Sequence, residues 1–387
     1  MKNVLLLLLI SVLLFSSCSK DARVEFEDET KGPQLVRDSI SDFVIELDNF
    51  TPLNLRAIRY LDDGGDEFLF FLNPNNNSIY KYWLNDGNRF EKITFDIIGP
   101  RGVGELSGFD VHGSDTLFLL ARYAYKLTLA SQLQNDLPKL QTYRLLGDAK
   151  SIDMTPYATT EAPMVIEGSI LSIHSVPFFE RDRLSYFEAG NSLVRLSLKD
   201  STFNTSNIYS IQYKKRWSHP YSSPSSTYNS FQKQRIITLP ADKDLYTLDL
   251  NGQIRSTSSS PKSIKDIEPY HGDFKDSKKS QLHANLNPSY ISILYDKYRD
   301  VYYRIVKVPN YKAIELGDKS KYPAMPNVVL VYDANLKLIS ETPLPPSFNV
   351  RMSFVGRSGL YFAQPVIKNR RIDENHLRYV CFKLEDK

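Results

Sequence analysis

The amino-acid sequence predicts an all-β protein, a six-bladed β-propeller whose ring is closed by an N-terminal strand. Three observations lead to that prediction. The 387 residues include 24 Tyr, 21 Phe and 2 Trp, and aromatic side chains favour pleated, half-buried strands. From residue 56 onward, short apolar runs alternate with turns rich in Asp, Asn, Gly and Pro. The runs fall into six groups, which is the pattern of a repeated four-stranded sheet.

The first two groups are the clearest, because each has four runs separated by short turns, as in an antiparallel meander. The strands of the first group are predicted at 57–61, 67–72, 78–84 and 90–95. The second group repeats the unit at 108–111, 116–121, 124–129 and 140–145. The later groups are predicted at 165–176, 183–187, 193–198 and 208–213; at 235–239, 244–248 and 253–255; at 290–295, 301–306, 328–332 and 336–342; and at 351–355, 360–364 and 376–384.

The two ends of the chain complement each other. The sixth group has only three clear strands, whereas 42–48 is a lone alternating strand ahead of the first group. In a propeller the leading strand can complete the last blade, which closes the ring and leaves only short, protected edges. Long loops are predicted at 148–163, 214–231, 256–288 and 309–326. The alternative architecture is a pair of β-sandwiches in one chain.

Residues 1–17 are predicted to be a lipoprotein signal peptide. Their apolar segment carries no charge after Lys2 and is too short to cross a bilayer as a helix. Small residues directly before Cys18 favour cleavage there and acylation of the cysteine, with chains such as palmitate; an ordinary signal peptide is the alternative. Residues 18–40 are predicted to be the lipidated cysteine and a flexible tether, and 41–387 a single propeller domain. We therefore expect a lipid-anchored protein of the cell envelope, at the outer membrane, facing either the periplasm or the cell surface.

The amino-acid composition limits the kinds of partner that the protein is expected to bind. The 48 basic side chains barely outnumber the 45 acidic ones, and so even a balance argues against a nucleic-acid surface. Cys18 and Cys381 are the only cysteines. If Cys18 is acylated, the domain folds without an intramolecular disulfide and depends on a large apolar core.

Two segments resemble a known family. Residues 99–104 read Gly-Pro-Arg-Gly-Val-Gly and precede Gly-Phe-Asp-Val at 108–111, while 295–305 read Tyr-Asp-Lys-Tyr-Arg-Asp-Val-Tyr-Tyr-Arg-Ile. Together they resemble the Bacteroides-type lipoproteins grouped as domain of unknown function 4221, over nearly all of the chain after the signal peptide. That resemblance implies a TolB-like six-bladed propeller and carries over no activity. The motifs suit structural roles: a loop whose glycines allow positive φ, and a hairpin with its turn at 296–300.

Motifs with a defined chemistry are few. The glycines of 99–104 are followed by neither a helix nor a Lys-Ser pair, so they do not predict a phosphate-binding loop. The six histidines show no metal-ligand spacing, and no Gly-x-Ser-x-Gly nucleophile motif is present. We therefore predict no metal site and no cofactor. A calcium ion held in the central channel by several blades would leave no local pattern, and the sequence leaves that possibility open.

Six residues are the candidates for ligand binding. His271 and His283 flank a long loop that places two imidazoles near an aspartate and aromatic rings, although surface histidines without a role fit the pattern as well. Arg216 and Trp217 belong to a run of cations and aromatics in another loop, where an exposed Trp is expected to make contacts. Tyr303 and Arg304 are included for their side-chain type and their place on the 296–300 hairpin.

Two functions of different classes follow. The preferred one is a membrane-tethered binding or scaffolding module, which presents loops at the channel mouth to a peptide, a glycan or an envelope protein. The alternative is a propeller hydrolase or lyase acting on an extracellular glycan or lactone, with His271 or His283 as general base and a metal in the channel. The sequence favours the first, because it contains no recognisable catalytic constellation.

Overall fold

The computed structural model describes residues 32–386, except 136, 146–153, 178–183, 189–191, 250–251, 260, 262, 274, 324 and 369–370. The predicted signal peptide and Cys18 lie outside the described residues. Within the described part of the chain, twenty-five strands form six antiparallel sheets, which are the blades of a propeller. The predicted fold class is therefore confirmed.

The six blades follow one another along the chain. Blade 1 contains β2 (Ile58–Asp63), β3 (Asp66–Asn73), β4 (Ser78–Trp83) and β5 (Asp86–Thr94), and blade 2 contains β6 (Gly108–Val111), β7 (Thr116–Ala121), β8 (Lys126–Ser131) and β9 (Lys139–Arg144). Blade 3 contains β10 (Met154–Tyr157), β11 (Val165–Glu167), β12 (Ile170–Pro177), β13 (Leu193–Ser197) and β14 (Phe203–Ser206). Blade 4 contains β15 (Ser225–Asn229), β16 (Gln234–Thr238), β17 (Leu245–Leu248) and β18 (Ile254–Thr257). Blade 5 contains β19 (Ser289–Asp296), β20 (Val301–Lys307), β21 (Asn327–Tyr332) and β22 (Leu338–Leu344), and blade 6 contains β23 (Asn349–Val355), β24 (Leu360–Lys368), β25 (Arg371–Glu385) and β1 (Gln34–Glu46).

The ring closes through its own N-terminal strand, as the sequence predicts. β1 pairs antiparallel with β25, from Gln34 opposite Glu385 to Glu46 opposite His376, and forms the outer strand of blade 6. The strand is longer than expected, because it begins at Gln34 and so includes 34–40 from the end of the predicted tether. Its register shifts once, between Asp38 and Phe43.

The apolar core is divided among the interfaces between blades. Six buried clusters are found among the described residues, and each joins two neighbouring blades. The cluster that contains Ile45, Phe71 and Tyr379 joins blade 6 to blade 1, so apolar packing continues across the closure. Cys381 is buried as a free thiol. Because every blade packs on two neighbours, the alternative of two β-sandwiches is wrong.

Short helices occupy the long connections. They are α1 (Leu184–Glu188), α2 (Ser277–Leu286) and α3 (Tyr311–Glu315), with 3₁₀ turns at Ile211–Lys214, His219–Ser222 and Lys319–Lys321. No helix among the described residues has the length and apolar character needed to span a membrane. Two predicted strands are wrong, since 184–188 is helical and 211–214 is a 3₁₀ turn. Their aromatic side chains, including Tyr186, Phe187 and Tyr213, pack in the cluster between blades 3 and 4, which explains a strand-like composition without strand pairing.

Candidate functional site

The inner strand of blade 3 is interrupted, and the interruption shapes the centre of the propeller. β10 pairs with residues 174–177 of β12, and β11 pairs with residues 170–172 of the same strand. Both therefore lie along one edge of β12. Residues 158–164 connect the two strands, and we name this segment the axial loop.

The axial loop is hydrogen-bonded to blades on opposite sides of the ring. In blade 1, the backbone N–H of Thr160 donates to Arg56 O at 2.9 Å, and Thr160 Oγ1 accepts from Ile58 N at 3.1 Å. In blade 4, Glu161 O accepts from Ser226 N at 2.8 Å and from Ser225 Oγ at 2.6 Å. Blades 1 and 4 face each other in a six-membered ring, so the loop must cross the axis.

The axial loop also packs closely against blade 2. A Cβ on Gly108, at the start of β6, would lie 2.6 Å from Ala158 O and 2.8 Å from Ala158 Cβ. Real Cβ atoms do not come so close to backbone, so only glycine fits at this position. Glycine at 108 therefore lets β6 lie directly against the axial loop.

Buried polar groups support the loop from the other side. Arg59 donates to Thr159 O at 3.1 Å and forms an ion pair with Asp110 at 3.1 Å. Arg235 donates to Ser172 O at 3.0 Å, and burial lowers the pKa of its guanidinium to about 10. Together with the hydrogen bonds to blades 1 and 4, the contact from Arg59 holds the axial loop across the channel as a partition.

On one side of this partition lies a cavity of about 560 Å³, which we name the wide cavity. All six blades contribute to its wall, and its volume is in the range of small-molecule sites. Its charged lining residues are Arg56, Arg122, Arg351 and Glu161. The wide cavity therefore carries three positive charges against one negative charge.

The arginines of the wide cavity are only partly neutralised. Arg351 Nη1 lies 2.6 Å from Glu161 Oε1, in an ion pair whose glutamate side chain is 11% exposed and whose arginine side chain is 60% exposed. Arg56 and Arg122 form no ion pair with any residue that the structure describes. The Nε of Arg122 is buried without a hydrogen-bond partner among those residues. Guanidinium groups that lack an ion-pair partner can bind a carboxylate, sulfate or phosphate group.

On the other side of the axial loop lies a cavity of about 280 Å³, which we name the narrow cavity. Its tyrosines are bonded within the protein: the hydroxyls of Tyr60 and Tyr298 lie 3.1 Å apart, and Tyr298 donates to Asp62 at 2.6 Å. The Arg357 guanidinium beside Asp62 holds the pKa of that carboxyl down at about 2. Because these polar groups already have partners, the wide cavity is the better candidate for a ligand site.

The two histidines singled out by the sequence do not line the wide cavity. His283, on α2, has both ring nitrogens engaged: Nδ1 lies 2.9 Å from Ser218 Oγ and Nε2 lies 2.7 Å from Glu268 O. Burial lowers the pKa of His283 below its ordinary value, with a smaller effect from nearby His271. A Ser–His pair resembles part of a hydrolase site, but Ser218 is 0% exposed, so no substrate can reach its hydroxyl. His271 is exposed.

The prediction that Trp217 is exposed is wrong. Its side chain is 2% exposed, packs with Tyr213 and Tyr221, and donates from the indole N–H to Gln212 O at 3.0 Å. The rings of its neighbours bury it in the interface between blades 3 and 4. Arg216, the preceding residue, is exposed on the surface.

Tyr303 and Arg304 also face the interior. The predicted hairpin is confirmed, since β19 and β20 meet at the 296–300 turn, and buried Tyr303 donates to Asp296 Oδ2 at 2.9 Å. Arg304 is 0% exposed and lies over the ring of Tyr290, 3.7 Å from its centroid. Its guanidinium donates to Thr238 Oγ1 at 2.8 Å and to Asp242 O at 2.7 Å, which ties blade 5 to blade 4.

Sequence reasoning missed the residues that the structure brings together. Arg56 lies two residues before β2, and Arg351 lies near the start of β23, the first strand of blade 6. The first strand of each blade lines the axis, so residues at equivalent positions in different groups meet at one mouth of the channel. That positional rule could have found Arg56 and Arg351. Arg122, in the turn after β7, and Glu161, in the axial loop, give no such signal.

Comparison with known proteins agrees with this architecture. A family profile described as domain of unknown function (DUF4221) matches residues 35–343. The chain belongs to the DUF4221 family. A crystal structure of a DUF4221 member from Bacteroides vulgatus matches with a TM-score of 0.79 and 21% identity, covering 93% of this chain and 100% of that one. The predicted family resemblance is thus confirmed, and this DUF4221 propeller shares its fold with that structure.

Other solved structures match at lower similarity. A candidate exported protein of Bacteroides fragilis matches this DUF4221 chain with a TM-score of 0.53 and 13% identity, covering 90% of this chain and 97% of that one. Virginiamycin B lyase from Staphylococcus aureus matches with a TM-score of 0.40 and 11% identity, over 88% of this chain and 98% of the lyase. That similarity is too low to bear on activity. Comparison with curated proteins gives no significant match.

The described part of the chain contains no group of three or more His, Cys, Asp or Glu side chains arranged to hold a metal ion. Hydrolytic chemistry based on His271 or His283 has no support from their positions, because neither histidine lines the wide cavity. The wide cavity instead offers binding groups: guanidinium forks, a glutamate and the phenol ring of Tyr123. Its geometry suits recognition of an anionic ligand.

Proposed function

We propose that this DUF4221 protein is a binding module that holds an anionic ligand in the wide cavity. The observation that carries the proposal is the convergence of Arg56, Arg122 and Arg351 on one cavity in which a single glutamate offsets their charge. Peptide, glycan and envelope-protein ligands all fit a binding module, and the charge of the cavity restricts them to those that present an acidic group. The proposal requires no resident cofactor and no nucleic-acid partner.

The rigid floor of the cavity supports this proposal. Hydrogen bonds to blades 1 and 4 hold the axial loop across the channel, so the ligand would meet a wall that needs little reordering. Preorganisation of this kind reduces the entropic cost of binding. A binding protein benefits from that rigidity without any catalytic group.

The test is calorimetric titration of the protein with galacturonate, a carboxylated sugar, and with galactose as the uncharged control. We expect galacturonate to bind more tightly, with an affinity that falls as salt is added. Replacing Arg122 with Met should lower the affinity roughly ten- to hundredfold, because a charge-assisted hydrogen bond is lost. Arg144→Met is the matched control, since Arg144 is exposed on β9, the outer strand of the same blade. Equal binding of the two sugars, or an equal loss in both variants, would contradict the proposal.

We also propose that acyl chains on Cys18 hold the protein at the outer membrane of the cell envelope. The support is the short apolar leader that ends in small residues directly before Cys18, and a candidate exported protein shares the fold. Metabolic labelling with an alkyne analogue of palmitate tests this anchor. We expect label on the wild-type protein and none on Cys18→Ser, which should also leave the membrane fraction. Label that persists in Cys18→Ser would place the acylation elsewhere.

A further inference from the structure

The wide cavity continues outward between blades 5 and 6. Ile291 and Arg351 line both the cavity and an adjoining groove of about 460 Å³, so the two spaces meet at these residues. Lys307 and Phe348 also line the groove. A third depression, of about 520 Å³, lies along α2 and meets the groove at Pro323. The three spaces therefore adjoin one another in a row, from the channel mouth to the depression beside α2, and we call this row a path.

The charged side chains along this path are mostly basic. The charged residues that line the groove are Lys307 and Arg351, and those that line the depression are Lys278 and Lys319. Among the described residues that line the three spaces, Glu161 is the one acidic side chain. The whole chain has 48 basic and 45 acidic residues, so average composition does not explain this concentration of positive charge.

The middle of the path contains polar groups that lack partners. Lys307 is half-buried, and both burial and the neighbouring Arg351 lower the pKa of its ammonium group. Lys307 forms no ion pair with a residue that the structure describes. Opposite Lys307 in the β20–β21 pair lies Asn327, which is 2% exposed and whose Oδ1 has no hydrogen-bond partner among the described residues. Unpartnered buried groups are uncommon, and a ligand or bound water often completes them.

We propose that this path, which we name the basic track, binds an acidic oligosaccharide. One acidic unit occupies the wide cavity, the next units lie in the groove beside Lys307, and longer chains reach Lys278 and Lys319. This inference rests on the proposed function and adds the class and the length of the ligand. Each acidic unit meets a cation supplied by a different part of the track.

An acidic saccharide fits the track better than an acidic peptide does. Extended peptides bind mainly through main-chain hydrogen bonds to a free strand edge. The backbone at the inner edges of blades 1 and 4 is already bonded to the axial loop, through Arg56 O, Ile58 N and Ser226 N. At these edges of the wide cavity, recognition therefore falls to side chains. The ring of Tyr123, which is 76% exposed at the wide cavity, offers a flat apolar surface for a sugar ring.

The experiment compares galacturonate, trigalacturonate and hexagalacturonate in calorimetric titrations of the full chain. We expect trigalacturonate to bind roughly tenfold more tightly than galacturonate, as one added charge-assisted contact predicts. Lys307→Met should abolish that gain and leave the affinity for galacturonate unchanged, whereas Lys307→Arg should retain the gain because it keeps the charge. Lys278→Met should weaken only hexagalacturonate. Lys337→Met is the matched control, since Lys337 is exposed in blade 5 away from the track.

Each other outcome has a definite meaning. If galacturonate and trigalacturonate bind equally, the basic track is refuted and the proposed function stands. If none of the three ligands binds, the proposed function fails as well. A gain that survives in Lys307→Met refutes the path through the groove. Triglutamate is titrated in parallel, and an equal Lys307-dependent gain with this peptide would overturn the assignment to a saccharide. Thermal unfolding of each variant verifies that it is folded.

Discussion

Closure of the ring by β1 can be tested with one substitution made at two positions of that strand. Ile45 is 0% exposed and packs with blade 1 across the closure, whereas Ile40 is 93% exposed. Truncating isoleucine to alanine removes three carbons, which at about 0.8 kcal/mol each corresponds to about 2.4 kcal/mol of transfer free energy. The cavity left at a buried site raises the expected loss for Ile45→Ala to about 3 to 4 kcal/mol.

The same change at Ile40 should cost less than about 0.5 kcal/mol, because that side chain is almost fully exposed. The free energy of unfolding is measured for both variants by urea denaturation, followed by tyrosine and tryptophan fluorescence. The two variants share the strand, the residue type and the lost atoms, so their difference reports burial alone. Equal losses, or a loss below about 1 kcal/mol for Ile45→Ala, would refute the claim that β1 is packed into the ring.

Two further predictions concern charge. Glu161→Gln removes the one negative charge among the described lining residues of the wide cavity. For an anion about 8 Å from that carboxylate, at an effective dielectric constant of about 20, the repulsion is about 2 kcal/mol. Galacturonate should therefore bind the variant roughly five- to thirtyfold more tightly, once screening by salt is included. Unchanged or weaker binding in calorimetry would contradict this sign. Burial holds the pKa of His174 well below its ordinary value of 6.5. As the pH falls below 6.5 the unfolded chain gains a proton that the folded chain does not, so the free energy of unfolding should fall by up to about 1.4 kcal/mol per pH unit. His174→Asn should remove that slope in urea denaturation between pH 6.5 and 5, while the exposed-site variant His112→Asn should retain it; the same slope in both would argue against a buried neutral His174.

Much of the fold was accessible from the sequence because blades are built from local contacts. Each hairpin joins strands that are neighbours along the chain, so alternation and turn residues report it directly. The inner strands of blades 3 and 4 escaped prediction for a physical reason. β10 contains Pro156, which interrupts an apolar pattern. β15 begins Ser-Ser-Thr, and the backbone and hydroxyl groups of β15 bond to the axial loop and to blade 5. A strand that faces polar partners does not show apolar alternation.

The candidate site was less accessible. Trp217 and Arg304 have the side-chain types of contact residues, yet both are buried between blades, and sequence gives no sign of which interface covers a side chain. Arg56, Arg122 and Arg351 look like ordinary surface arginines in the sequence. Their importance depends on meeting in one cavity, which is a property of the ring and not of any segment.

By itself, the sequence determined the class of fold, the number of blades, the pairing of the two chain ends and the family, since these depend on patterns within short stretches. Tertiary structure alone decided that the channel is divided by the axial loop, and that cations from blades 1, 2 and 6 share one cavity. Closure of the ring brings Arg56 and Arg351 together although almost 300 residues separate them in the chain. Such proximity arises from the summed packing of six interfaces, and no local pattern of residues encodes it.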